Sequence, residues 1–108
     1  MTVAKSLISS GMNVYGIFFL HLAMEKALKA HVVKTTNEIP PKTHNLNRLM
    51  VLAKLEVPTE MEDFFADLMP YLIEGRYAEF YPSKPSDKVA ESYLSTTKTY
   101  VKWLIERL

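Results

Sequence analysis

The segment from Met12 to Val33 constrains the fold more than any other part of the chain. It is almost continuously apolar, and as a helix rising 1.5 Å per residue it spans about 33 Å, which is enough to cross a bilayer. Its charges argue against a membrane span, because each lysine at the bilayer centre costs roughly 2.5–3.5 kcal/mol. We therefore expect the central helix of a soluble bundle and no membrane partner. The polar positions in this segment are His21, Glu25, Lys26, Lys29 and His31.

The remaining segments repeat their apolar residues with a period near 3.6, and none alternates with period 2 for long enough to predict a strand. The pattern predicts an all-α fold over residues 1–108, a single antiparallel bundle of about five helices with a four-helix up-and-down core and one short helix. The first helix is expected from Thr2 to Ser10, ending at Gly11, which suits a left-handed cap. The second is expected to begin near Asn13 and to end within residues 35–41.

Capping residues and prolines indicate the other helices. Thr43 is expected to cap the third, and Thr59 with Glu62 has the spacing of a capping box for the fourth. Pro70 removes one backbone hydrogen bond and predicts a kink. A serine in the linker 81–86 caps the last helix. The expected core stripes are Leu46, Leu49, Met50 and Ala53; then Met61, Phe64, Phe65, Leu68 and Leu72; and finally Val89, Ala90, Tyr93, Leu94, Tyr100, Val101, Leu104, Ile105 and Leu108.

Composition limits the classes of function. Lysine and arginine number 13 against 12 acidic residues, so the net charge is only +1 and a general nucleic-acid binder with a broad basic field is excluded. Cysteine is absent, which removes disulfide and thiolate chemistry and fits the cytoplasm. No cluster of metal-ligating residues and no cofactor motif can be read from the chain.

Three polar residues follow one another at four-residue spacing in the central helix: His21, Glu25 and Lys29. Such a row can handle protons, and a histidine–glutamate pair at this spacing can contribute to a metal site. The alternative, which we prefer, is a solvated strip on an otherwise buried helix. His31 is expected to be an ordinary surface residue near the helix end.

His44 stands at the predicted start of the third helix, where the positive end of the helix dipole favours the neutral imidazole that can accept a proton. It is therefore a weak catalytic candidate. The alternative is structural, since the prolines at positions 40 and 41 explain this segment as a rigid lead into the helix.

The segment Glu74–Tyr81 combines Arg76 with three aromatic residues. Arginine offers a fixed fork of donors for phosphate, and aromatic rings stack on bases. Equally, Arg76 can pair with Glu74 or Glu79 while the rings close the end of the bundle. In the last helix, Trp103 falls roughly 120° from the centre of the apolar stripe, so it needs another surface to cover it.

The stretches Leu22–Ala30 (LAMEKALKA) and Pro40–Leu46 (PPKTHNL) together resemble the HEPN domain family. The resemblance extends over most of the chain, from Lys5 to Tyr77. It implies an antiparallel helical bundle, a homodimer and a minimal nucleotidyltransferase as partner. Nuclease members of the family pair an arginine with a histidine four to six residues later. Here Arg76 matches the arginine, but Tyr81 stands in place of the histidine, which argues against cleavage.

We predict a HEPN-like dimeric module that binds a nucleotide or RNA phosphate through Arg76, Tyr77, Glu25 and Lys29. Tyr100 and Trp103 are assigned to the dimer interface. One alternative is a metal-independent endoribonuclease toxin, with Arg76, Tyr81 and His44 as the weak catalytic candidates. The other is a purely structural dimeric bundle.

Overall fold

The computed structural model describes residues 1–71 and 85–108, and all regular structure in these ranges is helical. Within these two ranges, five α-helices follow one another: α1 (Thr2–Ser9), α2 (Asn13–Thr36), α3 (Leu46–Leu52), α4 (Thr59–Leu68) and α5 (Asp87–Glu106). A short 3₁₀ turn, Met69–Tyr71, follows α4. The prediction of an all-α helical bundle is thereby confirmed.

Helix α2 is the centre of the bundle and packs against α1, α3, α5 and the 3₁₀ turn. Four of its apolar side chains, spaced at three or four residues, are fully buried, and each such burial contributes roughly 1.5–3 kcal/mol. These are Ile17, Leu20, Met24 and Leu28. Their partners from the other helices include Leu46, Leu49, Met61, Phe65, Leu68 and Leu104. The apolar 12–33 segment is therefore a core helix, as predicted.

The expected stripe of α3 is buried in full, and that of α4 is buried from Met61 to Leu68, while Leu72 lies outside the described residues. The stripe predicted for α5 was too broad. Only Ala90, Thr97 and Leu104 of this helix are buried, whereas Val89, Ile105 and Leu108 are exposed. The reason is that α2 and α1 cover a narrow face of α5, and Thr97 lies on that face although it is polar.

The end of α1 confirms the role predicted for Gly11. Its φ of +81° is left-handed, and its amide donates to the Ile8 carbonyl at 3.0 Å. The next amide, that of Met12, donates to the Leu7 carbonyl at 2.8 Å. These two bonds form a Schellman motif, which closes α1 and turns the chain into α2.

Two predicted helix caps are wrong. The cap of α4 is Pro58, and Thr59 makes no capping hydrogen bond because it already lies in the first turn, where the Pro58 carbonyl accepts from the Met61 amide at 2.9 Å. The cap of α3 is Asn45 in place of Thr43. Pro70 lies in the 3₁₀ turn that directly follows α4. The change of helix direction predicted after Pro70 falls outside the described residues, which end at Tyr71 in this part of the chain.

Gly16 allows α1 and α2 to approach closely. A Cβ atom at this position would lie 2.5 Å from Cγ1 of Ile8 and 3.2 Å from the Ala4 carbonyl oxygen. We expect Gly16→Ala to lower the free energy of unfolding by about 1–3 kcal/mol, because two helices would have to separate. Urea denaturation measures the change. The double variant Ile8→Ala/Gly16→Ala should lose less than the sum of the two single losses, and strict additivity would contradict the steric explanation.

Candidate functional site

Four polar side chains meet beside α2, and we call His21, Glu25, Lys29 and His44 the Glu25 cluster. The Glu25 carboxylate is its centre: Oε2 accepts a hydrogen bond from Lys29 Nζ at 2.9 Å, and Oε1 accepts one from His44 Nδ1 at 2.9 Å. His21 donates through Nε2 to the backbone carbonyl of His44 at 3.1 Å. The three α2 residues lie on one face because they are spaced four apart.

The segment between α2 and α3 brings His44 back onto this face. Helix α2 ends at Asn37, whose left-handed backbone (φ 56°) reverses the chain, and Asn45 starts α3 by accepting the Arg48 amide on its side chain at 3.1 Å. The Thr43 hydroxyl accepts only the Asn45 amide. His44 therefore lies between a chain reversal and a helix cap, and α2 holds both its side chain and its carbonyl.

The prediction of a solvated strip is wrong for two of its three residues. The side chain of His21 is fully buried and that of Glu25 is 8% exposed, while that of Lys29 is 25% exposed. A helical wheel cannot reveal this burial, because the cover comes from a segment some 20 residues later in the chain. The four-residue spacing of His21 and Glu25 was the available signal, but nothing in the sequence indicated the bond from His21 to the carbonyl of His44.

His44 combines fixed orientation with access to solvent. A carboxylate oxygen only accepts, so Nδ1 of His44 carries the hydrogen in the bond to Glu25, and in the neutral ring Nε2 then holds the free lone pair. The side chain is 56% exposed, and Nε2 makes no hydrogen bond within residues 1–71 and 85–108. The buried Glu25 carboxylate thus fixes the tautomer of the solvent-exposed His44 imidazole.

Burial and charge act differently on the two most buried members. Burial lowers the pKa of His21 and outweighs the neighbouring Glu25 charge, so the ring is held neutral. Burial raises the pKa of Glu25, but hydrogen bonds from Lys29 and His44 together exceed that effect and leave the pKa below its ordinary value. Glu25 is therefore a stable carboxylate. The neutral His21 ring keeps one unmet acceptor, because its buried Nδ1 has no hydrogen-bond partner in the described structure and faces Glu25 Oε1 at 3.8 Å.

His31 is not the surface residue that the sequence predicted. It is buried, and its Nε2 donates to the Leu104 carbonyl at 2.7 Å. Leu104 lies in the last turn of α5, where its carbonyl also accepts the Arg107 amide at 3.1 Å. His31 therefore joins α2 to the end of α5 and has a structural role that neighbouring sequence could not indicate.

Tyr100 and Trp103, the residues predicted for a dimer interface, are half-buried within the chain. Tyr100 packs its ring edge-to-face with Phe64 at 5.6 Å between centroids. Trp103 packs partly on the core, and the Arg107 guanidinium lies 3.6 Å from the centre of its ring. Part of the cover that Trp103 needed is thus supplied by its own helix. The assignment of both residues to a dimer interface stays a prediction.

Arg76, Tyr77 and Tyr81 lie outside the described residues, so their distance from the Glu25 cluster is not defined. In the parts of the chain that are described, no three histidine, cysteine or acidic side chains are placed to hold a metal ion. Those parts also contain no helix with the length and apolar character needed to cross a membrane.

A family model described as the HEPN domain matches residues 1–108, which is the whole chain. The chain belongs to the HEPN domain family. The HEPN bundle therefore accounts for the helical architecture, and the resemblance noted in the sequence is confirmed. No curated protein and no solved structure is significantly similar to this HEPN chain.

Proposed function

We propose that this HEPN domain binds phosphate groups of a nucleotide or of RNA at the Glu25 cluster. The observation that carries the proposal is the shared carboxylate, which holds the Lys29 ammonium and the His44 imidazole at 2.9 Å each. Both groups reach the surface in part, and both are hydrogen-bond donors to phosphate when they carry charge. Glu25 fixes their positions before a ligand arrives, which lowers the ordering cost of binding.

The charge around the cluster supports an anionic ligand. Between residues 21 and 45 the chain has four lysines and two glutamates, whereas the whole chain carries a net charge of only +1. Positive charge is thus concentrated in the part of the sequence that builds the cluster, and local attraction to phosphate does not need a broad basic surface. The lysines are Lys26, Lys29, Lys34 and Lys42.

Arg76 and Tyr77 belong to the proposal on sequence grounds alone. A guanidinium donates two parallel hydrogen bonds to phosphate, and a phenol ring stacks on a base. We propose that they contribute to binding the same ligand.

The proposal includes a homodimer and a minimal nucleotidyltransferase as protein partner, both suggested by the family. Ile105 in α5 and Leu108 just after it are exposed, and Trp103 is half-buried, so apolar side chains near the end of α5 are available to a second copy. Light scattering on the purified chain should give the mass of two copies. Ile105→Asp should reduce it to one copy, while Lys88→Asp, at an exposed position in the first turn of the same helix, should leave it unchanged.

Fluorescence anisotropy with a short single-stranded RNA, and calorimetry with ATP, test phosphate binding in low salt with EDTA present. Lys29→Met, His44→Gln and Arg76→Ala should each weaken binding of at least one ligand by about tenfold, equivalent to about 1.4 kcal/mol. For RNA, each lost phosphate contact should also reduce the steepness of the salt dependence.

Lys102→Met is the matched control for Lys29→Met, since it removes one exposed lysine from α5, a helix that contributes no residue to the Glu25 cluster. It should leave both affinities unchanged. Equal losses in the two lysine variants would show that only net charge matters, and binding of neither ligand would overturn the proposal. RNA cleaved in EDTA by the parent chain and left intact by Arg76→Ala would instead establish the endoribonuclease alternative.

A further inference from the structure

The Nε2 atom of His44 has the surroundings of a nucleophile. His44 is held to α2 by two hydrogen bonds. Its ring donates through Nδ1 to Glu25 at 2.9 Å, and its backbone carbonyl accepts from His21 at 3.1 Å. These two anchors come from the buried side of the residue and leave the opposite ring edge towards solvent, with the side chain 56% exposed. A solvated surface histidine needs neither anchor, so the arrangement defines a direction for Nε2.

The charge behind the ring favours bond formation at Nε2. A carboxylate on the far nitrogen fixes the tautomer and stabilises the positive charge that appears when Nε2 forms a new bond. Glu25 is suited to this because the hydrogen bond from Lys29 at 2.9 Å holds the carboxylate in place and favours its charged form. The two other histidines lack such a free nitrogen at the surface: His21 and His31 are both buried.

We propose that His44 is a phosphoryl-acceptor site, modified at Nε2 by donors of the phosphoramidate class. In the step, the Nε2 lone pair forms a bond to phosphorus while the phosphorus–nitrogen bond of the donor breaks. The donor nitrogen, which is an –NH₃⁺ group in zwitterionic phosphoramidate, takes the electron pair of that bond and leaves as neutral ammonia. The histidine ring keeps its Nδ1 hydrogen. Its positive charge is then neutralised by the Glu25 carboxylate, and no oxidant or metal is required.

The test is incubation of the full chain with potassium phosphoramidate near neutral pH, followed by peptide mass spectrometry under alkaline conditions that preserve phosphohistidine. We expect the phosphoryl group on His44 and on neither His21 nor His31. The positional isomer should be the one phosphorylated at Nε2, because Glu25 occupies Nδ1. In urea-unfolded chain, all three histidines should react.

Glu25→Gln is the decisive variant, since glutamine keeps the shape and one oxygen acceptor but removes the charge. Its rate of His44 phosphorylation should fall by about tenfold or more, which is less than the roughly 10⁴-fold loss seen when a buried triad loses its carboxylate, because His44 is half-exposed. Circular dichroism establishes that the variant is folded. Should it unfold, the isomer formed on the parent chain still decides the matter.

Phosphorylation at Nδ1, an adduct on a buried histidine of the folded chain, or an unchanged rate in a folded Glu25→Gln variant would overturn the proposal. The choice of a phosphoryl donor rests on the proposed phosphate function. The two fail separately, since the reaction with phosphoramidate is measured without nucleotide or RNA and the binding assays are measured without phosphoramidate.

Discussion

Phe65→Ala is expected to lower the free energy of unfolding by about 3–5 kcal/mol, the usual loss for deleting a fully buried aromatic ring. Phe65 has no exposed surface and lies on α4, whose packing against α2 and α3 closes the core. The loss combines the transfer free energy of the removed atoms with the cavity left behind, because neighbouring helices relax only partly. Urea denaturation followed by circular dichroism measures it.

The matched control is Phe19→Ala on α2. Phe19 is 39% exposed and touches Phe18 edge-to-face, so removing its ring should cost less than half as much. Comparable losses for the two phenylalanines would mean that Phe19 is covered in solution, by a second copy of the chain or by another partner. A loss below about 1 kcal/mol at Phe65 would contradict the packing of α4 described above.

The stability of the chain is expected to fall on mild acidification, first because of His21. Its pKa in the folded chain lies below the ordinary 6.5, since burial disfavours the charged ring. When the pH is below 6.5 but above the pKa of the folded chain, His21 therefore binds a proton in the unfolded chain and not in the folded one. The free energy of unfolding should decrease as the pH falls from about 6.5 towards the folded pKa, with a slope of at most about 1.4 kcal/mol per pH unit for one proton.

Glu25 adds a second loss at lower pH. Its folded pKa is also depressed, so its contribution is complete above the ordinary carboxyl pKa and disappears as the pH falls through the folded value. Urea denaturation at a series of pH values separates the two. His21→Gln should flatten the upper part of the curve and leave the lower part. Glu25→Gln should remove the lower loss and extend the loss due to His21 to lower pH, because the Glu25 charge raises the pKa of His21. A parent chain equally stable at about pH 7 and about pH 5 would contradict the burial of His21.

The helices and most of their buried faces could be predicted because they depend on local order along the chain. The stripes of α3 and of the described part of α4, and the left-handed Gly11, are such features. The polar interior could not be predicted. His31 meets Leu104, which lies 73 positions away, and His21 meets the carbonyl of His44 across a loop. On a helical wheel, a histidine is assigned to the surface unless a hydrogen-bond partner that could bury it is known.

For the candidate site, too, the individual residues could be predicted from the sequence but their contacts could not. The sequence pointed to Glu25, Lys29 and His44 separately, as a helix row and as a residue near a helix start. It did not indicate that one carboxylate accepts hydrogen bonds from both Lys29 and His44, since that depends on the reversal at Asn37. Likewise, Thr43 has the side chain of a helix cap, but the structure uses Asn45 two residues later. A cap shifted by two residues leaves the helix in place. It changes which residues precede the helix, and His44 is the residue directly before the cap.

Lys29 and His44 are not bonded to each other, but each depends on how the other is engaged, because their bonds end on the two oxygens of Glu25. An anion that draws the ammonium away would change the strength of the hydrogen bond between the carboxylate and the imidazole. A group added to the imidazole would likewise change the strength of the hydrogen bond between the carboxylate and the ammonium. Thermodynamic linkage makes these two effects equal in free energy. A single carboxylate thus links the central helix of this bundle to the loop that lies over it, through one hydrogen bond on each of its oxygens.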